Sequence, residues 1–435
     1  MDPGALLADL DADQRRAVTT ESRLVAVIAG AGSGKTRVLT RRVAHRIATG
    51  TADAAHTVVL TFTREAAGEL RRRLPRLGVT DRVTAGTFHS VAQGMLRQRW
   101  LDRDEQPRTI TTDRRRIVRG LVGPEQLDEI VAELDWATAR GLGPDAYEAA
   151  VRRGERRPSV GAGRIAEALA AYVVEKRQRR VVDLDDLLAL ANDALAADPE
   201  FAASTRWRFR HVLVDEAQDL NPLQHRFVDL LRRGLDDLFL VGDPAQAIYG
   251  FNGSDPTLLL EVADRFPGIE VVRLPVNHRC TPQIVAAGAH ALRVGDPTQP
   301  TEIESARADG PPPTTIGHDD EATEAARIAS MIARGDPTLV RSGDVAVLAR
   351  THAVLAPVRD ALVERGVAVR RNIQGSGSPF ASLLDEAYRI KDSNRLRQWA
   401  YDAADEATGD DDPRSEVARA AFDFLREQPT GDGAG

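Results

Sequence analysis

Apolar and polar positions divide this chain into short β-type runs separated by longer stretches of helical periodicity. The runs fall at residues 24–28, 57–62, 82–85, 211–214, 237–241, 271–274 and 344–348. Apolar runs this short, with little polar alternation, predict strands covered on both faces. Their recurrence between helical stretches predicts an α/β fold of parallel sheets wound with helices. Helices are predicted over 36–48, 164–180, 286–294 and 320–333. Between about 90 and 190 the strand signal disappears and amphipathic segments take over, which predicts a helical subdomain inserted into the first α/β domain. The Pro- and Gly-containing stretch 295–313 reads as a surface loop. After Arg370 the pattern weakens, and the last eight residues read as loop.

The first strand runs into Ala29-Gly30-Ala31-Gly32-Ser33-Gly34-Lys35-Thr36. Small residues there let consecutive backbone N–H groups close around a polyphosphate. Lys35 can then reach the outer phosphates, and the Thr36 hydroxyl can ligate magnesium. Lysine is scarce in this sequence, occurring only at Lys35, Lys176 and Lys391 among 58 Lys+Arg. A compact ammonium therefore stands where a forked guanidinium would not fit.

Composition narrows the class. With 435 residues, 42% hydrophobic and 28% charged, the chain has room for two or three domains and the balance of a soluble globular protein. No apolar run approaches a membrane span, and the acidic start lacks a signal peptide's regions, so a cytoplasmic enzyme is expected. Cys280 is the sole cysteine, which excludes an intrachain disulfide and a thiolate metal cluster. The net charge of −7 resides in residues 401–435, where ten acids face three arginines, leaving the first 400 residues neutral. Basic clusters at 71–73, 114–116, 152–157 and 176–180 could track phosphates, or could simply be solvated helix faces.

Two further strand ends carry chemistry. The run 211–214 delivers Asp215 and Glu216, adjacent carboxylates at the position where α/β sheets hold ligands. Asp215 suits a magnesium shell, and Glu216 could orient and deprotonate an attacking water. Run 237–241 opens into Gly242-Asp243-Pro244-Ala245-Gln246-Ala247-Ile248-Tyr249-Gly250-Phe251. The Gln246 amide can contact a γ-phosphate, and Tyr249 with Phe251 can offer flat faces for base stacking.

Together these segments resemble the helicase motifs of the UvrD/PcrA/Rep family of superfamily 1 DNA helicases, in the family's order and over most of the chain. The resemblance implies RecA-like P-loop domains, ATP and Mg2+ as cofactors, and 3′–5′ movement on single-stranded DNA with unwinding at single/double-strand junctions, in repair or replication. It implies that Gln14 reads adenine and that 29–36 is the phosphate loop. It implies single-strand contacts from Thr61-Phe62-Thr63 and from Gly86-Thr87-Phe88-His89-Ser90. Asp183-Leu184-Asp185-Asp186 resembles the acidic element that follows the inserted subdomain. In Asn277-His278-Arg279, Arg279 would touch the γ-phosphate, while Arg350 stands where the family has a strand-end arginine that would join the DNA face. The family usually has Tyr where His278 stands, stacked on adenine, and Trp-Arg-Gly in place of Phe251-Asn252-Gly253; both replacements keep a flat ring.

The expected domains are 1–276, a first RecA-like ATP-binding domain with its helical insert at about 91–190; 277–372, an incomplete second RecA-like domain; and 373–435, the start of a subdomain inserted into it plus an acidic tail. The family's His-x-x-Lys-Gly and Thr-Arg-Ala segments are absent, so the chain is expected to stop inside that second insertion. A second reading is a truncated module that binds ATP and single-stranded DNA, with weak turnover and no unwinding. A helicase-nuclease subunit ranks low, since no carboxylate-lysine cluster marks a nuclease site.

Overall fold

The structure is a computed structural model that describes residues 2–111, 113–295 and 303–369. The expected subdomain start and acidic tail at 373–435 lie outside the described residues. By its contacts the chain divides into two compact units, the first ending at Pro313.

The first unit is built on a six-stranded, wholly parallel sheet in the order β3-β2-β6-β7-β1-β8. The strands are β1 (Leu24–Ala29), β2 (Thr57–Thr61), β3 (Thr84–Thr87), β6 (His211–Val214), β7 (Leu238–Gly242) and β8 (Glu270–Leu274). All but the last predicted run became one of these strands. Successive residues serve opposite faces, as the pleat requires. Ala26, Val58 and Leu240 enter one core, while Val25, Val59 and Val241 enter the other. Helices α1 (Ala12–Thr19), α2 (Lys35–Ala48) and α3 (Arg64–Arg76) follow in the first half of the chain.

The insert contains α4 (Phe88–Asp102), β4 (Thr109–Ile110), α5 (Arg114–Arg119), α6 (Leu127–Ala139), α7 (Pro144–Arg152), α8 (Ala162–Arg179), β5 (Val181–Val182) and α9 (Leu184–Ala197). Its separate core is formed by α5 to α8 around Ile130, Leu134, Trp136, Tyr147, Ile165 and Tyr172. Helices α4 and α9 instead bury Met95, Leu96, Leu187 and Leu188 against the main sheet. Periodicity marks that a helix has an apolar face, not which core receives it. After α9 come α10 (Pro199–Arg208) and α11 (Pro222–Arg232).

Two members of the basic clusters turn inward. The Arg114 guanidinium bonds Asp183 at 3.0 Å and Asp185 at 2.8 Å, and Lys176 Nζ bonds Asp183 at 2.8 Å and Asp186 at 2.7 Å. These cations neutralise buried carboxylates and are not presented to phosphates. After β8, a two-stranded parallel ladder pairs β9 (Val276–Asn277) with β10 (Glu304–Ser305), inside the stretch read as loop.

The second unit holds helices Glu321–Ala333, Pro337–Ser342 and His352–Glu364, with Ala325, Ala329, Val358 and Leu362 in its small core. The predicted strand at 344–348 does not form, and Leu348 is 90% exposed. An extended run becomes a strand only with a ladder partner, and among the described residues none lies beside it. No described helix is long and apolar enough to cross a membrane.

Candidate nucleotide site and nucleic-acid face

Adjacent strands β6, β7 and β1 end side by side. The sheet therefore brings Asp215-Glu216, Asp243 and the glycine-rich loop together at its C-terminal edge, where parallel sheets hold ligands.

The loop turns at Gly32 (φ 72°) and Gly34 (φ 89°), both left-handed, and Gly34 caps α2. Ser33 closes it locally, its hydroxyl donating to the Gly30 carbonyl at 2.7 Å. Gln14, 1% exposed, braces it from α1: Nε2 donates to the Ser33 carbonyl at 2.8 Å, while Oε1 completes a reciprocal cap with Asp11. Asn277 grips the other side, with Nδ2 donating to the Ala31 carbonyl at 2.7 Å and Oδ1 accepting from the backbone N–H groups of Arg279 and Cys280. The His278 N–H adds a bond to the Gly32 carbonyl at 2.9 Å. The His278 ring lies 2.8 Å from Asp11, next to the Gln14 brace, and Arg279 is exposed with its Cβ close against Gly32. The sequence pointed to Gln14, His278 and Arg279 and overlooked Asn277, whose role lies in one bond to a loop carbonyl 246 residues away.

Across the loop, Lys35 Nζ stands 3.6 Å from Glu216 Oε2. Glu216 itself sits in the left-handed region at φ 52°, a strained conformation for a residue with a Cβ, of the kind that gathers at reactive positions. Asp215 is 2% exposed. Burial, reinforced by the Glu216 charge, pushes its carboxyl up to about 7, and the same two causes push Asp219 up to about 6. A buried carboxyl so poorly compensated is suited to a cation. With the Thr36 hydroxyl and phosphate oxygens it would supply the all-oxygen surroundings that magnesium takes. The remaining buried group, Gln218, was not singled out from the sequence. Its amide donates to Glu216 at 2.9 Å and to Asp219 at 3.2 Å, and accepts from the Asp243 N–H at 3.0 Å. Gln246 donates to Asp243 Oδ2 at 2.6 Å.

Toward β2 and β3 the same edge becomes aromatic. The rings of Phe62 and Tyr249 lie 5.0 Å apart with a tilt of 31°, and Tyr249 and Phe251 lie 6.2 Å apart. Phe251 is 63% exposed, so its face is free. Thr63 and Thr87 cap α3 and α4, accepting from Ala66 and Ser90, which fixes their backbones at the strand ends. His89 is turned inward: its Nε2 is buried without a partner, and desolvation lowers its pKa despite the facing Asp185 and Asp183. Arg350, in the second unit, is exposed.

A family model described as the UvrD/REP helicase N-terminal domain matches residues 10–267, more than half of the chain and five of the six strands of the main sheet, ending just before β8. The chain belongs to the UvrD/REP helicase family. Among its relatives it is similar to the ATP-dependent DNA helicase UvrD2 of Mycobacterium tuberculosis, 35% identical over 92% of this chain and 60% of that protein. DNA helicase II of Escherichia coli is 28% identical over 85% of this chain and 52% of its own length. The ATP-dependent DNA helicase PcrA of Bacillus subtilis is 29% identical over 83% and 50%. The chain thus spans about half to three-fifths of these UvrD/REP relatives.

Proposed function

We propose that this chain is the ATP-hydrolysing, strand-gripping portion of a UvrD-type DNA helicase that moves 3′–5′ on single-stranded DNA and opens duplex at junctions, serving repair or replication in the cytoplasm. The observation that supports this best is the grading of one sheet edge. The phosphate loop and paired carboxylates occupy β6, β7 and β1, and the Phe62-Tyr249-Phe251 row lies beside them.

In this reading the loop from Ala29 to Thr36 cradles the ATP phosphates and Lys35 faces the outermost ones. Thr36 and Asp215 hold magnesium, which neutralises charge developing on the phosphates. Glu216 takes a proton from the attacking water, Gln246 contacts the γ-phosphate, and Arg279 stabilises its developing charge. His278 stacks on adenine and Gln14 reads its edge by exchanging one of its present partners. Phe62, Tyr249 and Phe251 stack on bases, and the backbones beside Thr63 and Thr87 follow the strand. His89 supports this surface from beneath, and Arg350, in residues 277–372 read as part of a second RecA-like domain, would contact DNA on its own account. The test pairs ATP hydrolysis with and without single-stranded DNA against strand displacement on 3′-tailed and 5′-tailed duplexes. DNA-stimulated hydrolysis with displacement from the 3′ tail is expected. Hydrolysis indifferent to DNA would overturn the reading.

A further inference from the structure

Gln218 has an unusual position: among the described residues, its side chain alone hydrogen-bonds the end of β6 to the end of β7. It is 1% exposed and sits in the one-turn segment Ala217–Asp219 directly after Glu216. Both amide hydrogens are spent on carboxylates, Glu216 Oε2 at 2.9 Å and Asp219 Oδ2 at 3.2 Å, and its oxygen accepts from the Asp243 N–H at 3.0 Å. The orientation of the amide follows from these partners, since a flipped group would set its oxygen against two carboxylates and its nitrogen against an N–H.

The backbone is shaped to admit this amide. A Cβ on Gly242, the last residue of β7, would meet Gln218 Oε1 at 2.5 Å, Leu259 Cδ2 at 2.8 Å and the Ala217 nitrogen at 3.1 Å. The strand therefore ends in glycine where the amide passes, although Gly242 has no positive φ to require one. Beyond it, Asp243 accepts from Gln246 Nε2 at 2.6 Å and from the Ala245 N–H at 3.1 Å. That fixes the turn leading to Tyr249, whose carbonyl in turn accepts from the Asn252 N–H at 2.9 Å. Hydrogen bonds run from the Glu216 carboxylate through Gln218 to Asp243 and Gln246, and the backbone of Ala247 and Ile248 carries the connection on to the aromatic row.

We propose that Gln218 is a positioning residue that couples strand occupancy at Tyr249 and Phe251 to the aim of Glu216. This rests on the helicase reading above. When a base settles on the aromatic row, the turn after β7 shifts with it. The Asp243 N–H and Gln218 pass that shift to the Glu216 carboxylate, setting it on the attacking water. Glu216 needs such support because its Oε2 is held by the Gln218 amide at 2.9 Å and otherwise faces the Lys35 ammonium at 3.6 Å, a partner that entering phosphates would draw away.

The test measures steady-state ATP hydrolysis by the 435-residue chain with and without oligo-dT, for wild type, Gln218→Leu and the gentler Gln218→Asn, whose amide falls one methylene short. DNA-stimulated kcat is expected to fall on the order of 10- to 100-fold in Gln218→Leu, as for outer-layer partners of reactive groups. KM for ATP and affinity for oligo-dT should stay within about twofold. In a Glu216→Gln background, Gln218→Leu should have no further effect, because its route to the reaction is already cut. Should Gln218→Leu fail to fold, Gln218→Asn carries the same comparison. Wild-type stimulation in a folded variant, or losses that multiply in the double variant, would overturn the proposal while leaving the helicase reading intact. Absence of DNA-stimulated hydrolysis in the wild type would instead sink the helicase reading itself.

Discussion

Lys35 Nζ and Glu216 Oε2 lie 3.6 Å apart, so the cation of the phosphate loop and the carboxylate read as the general base face one another directly. With the Lys35 side chain 11% exposed, the pair is partly shielded from water, and outer phosphates entering the loop would compete with Glu216 for the ammonium. The two residues then separate in mutation. Lys35→Ala should remove turnover and most nucleotide affinity, because among the described residues no other lysine serves the loop. Glu216→Gln should retain binding and slow hydrolysis on the order of 10²-fold or more. Equilibrium binding of a labelled ATP analogue beside turnover distinguishes them, and equal loss of affinity in both would reject the assigned roles.

Phe251→Ala should weaken oligo-dT and oligo-dC by similar factors, about 1–3 kcal/mol for a full stack lost. Since Phe251 is 63% exposed, the melting temperature should stay where it is. Fluorescence anisotropy with a parallel melt decides the matter, and a drop in stability would make Phe251 a packing residue.

Gly32→Ala should damage the loop twice over. Its φ of 72° disfavours a Cβ, and that Cβ would meet Asn277 at 2.7 Å and the Arg279 Cβ at 2.9 Å. Asn277→Ala, which frees the Ala31 carbonyl without a clash, should be milder, costing about 1–3 kcal/mol of stability for the unsatisfied groups it leaves. Urea unfolding of both variants tests the order, and Asn277→Ala proving as stable as wild type would dismiss the brace.

Buried His225 supplies a pH dependence. Burial first, then the Arg265 charge with a small part from Arg140, lowers its pKa from 6.5 to about 4 against the opposing pull of Asp255. The unfolded chain therefore binds a proton that the folded chain refuses between those values. Stability is complete above about pH 6.5 and declines as pH falls toward 4, by ~3 kcal/mol from this group. Denaturant unfolding at pH 7.5 and 5 should show the decline in wild type and a shallower one in His225→Leu. Parallel slopes would assign the acid sensitivity elsewhere.

The strands were readable because a central parallel strand is apolar on both faces, which composition alone displays in Val25–Val27 and Val58–Leu60. The run 344–348 is similarly apolar but has no neighbour to pair with among the described residues, and pairing is not written in the run itself. The phosphate loop and Asp215-Glu216 were legible because their chemistry is local. Gln218, Asn277 and the inward turn of His89 were not, because each depends on groups that only folding brings near. Lysine scarcity proved an ambiguous signal. Lys176 is retained for packing, its ammonium 4.5 Å from the Tyr172 ring centroid and between two aspartates, so rarity alone does not separate a reactive lysine from an architectural one.

At the base of the insert, β4 and β5 pair Thr109 with Val181 and Ile110 with Val182, and the Thr111 N–H closes the ladder on the Val182 carbonyl at 2.8 Å. Chain entry and exit are thus stitched together at one narrow neck, while the helices beyond it fill their own core. The ends to be reconnected are already neighbours, but a replacement would also have to supply what Arg114 and Lys176 give to Asp183 and what Arg140 gives to Asp255, 3.7 Å away. A chimera cut at β4 and β5 therefore keeps the sheet intact only when the grafted module brings its own cations to those aspartates.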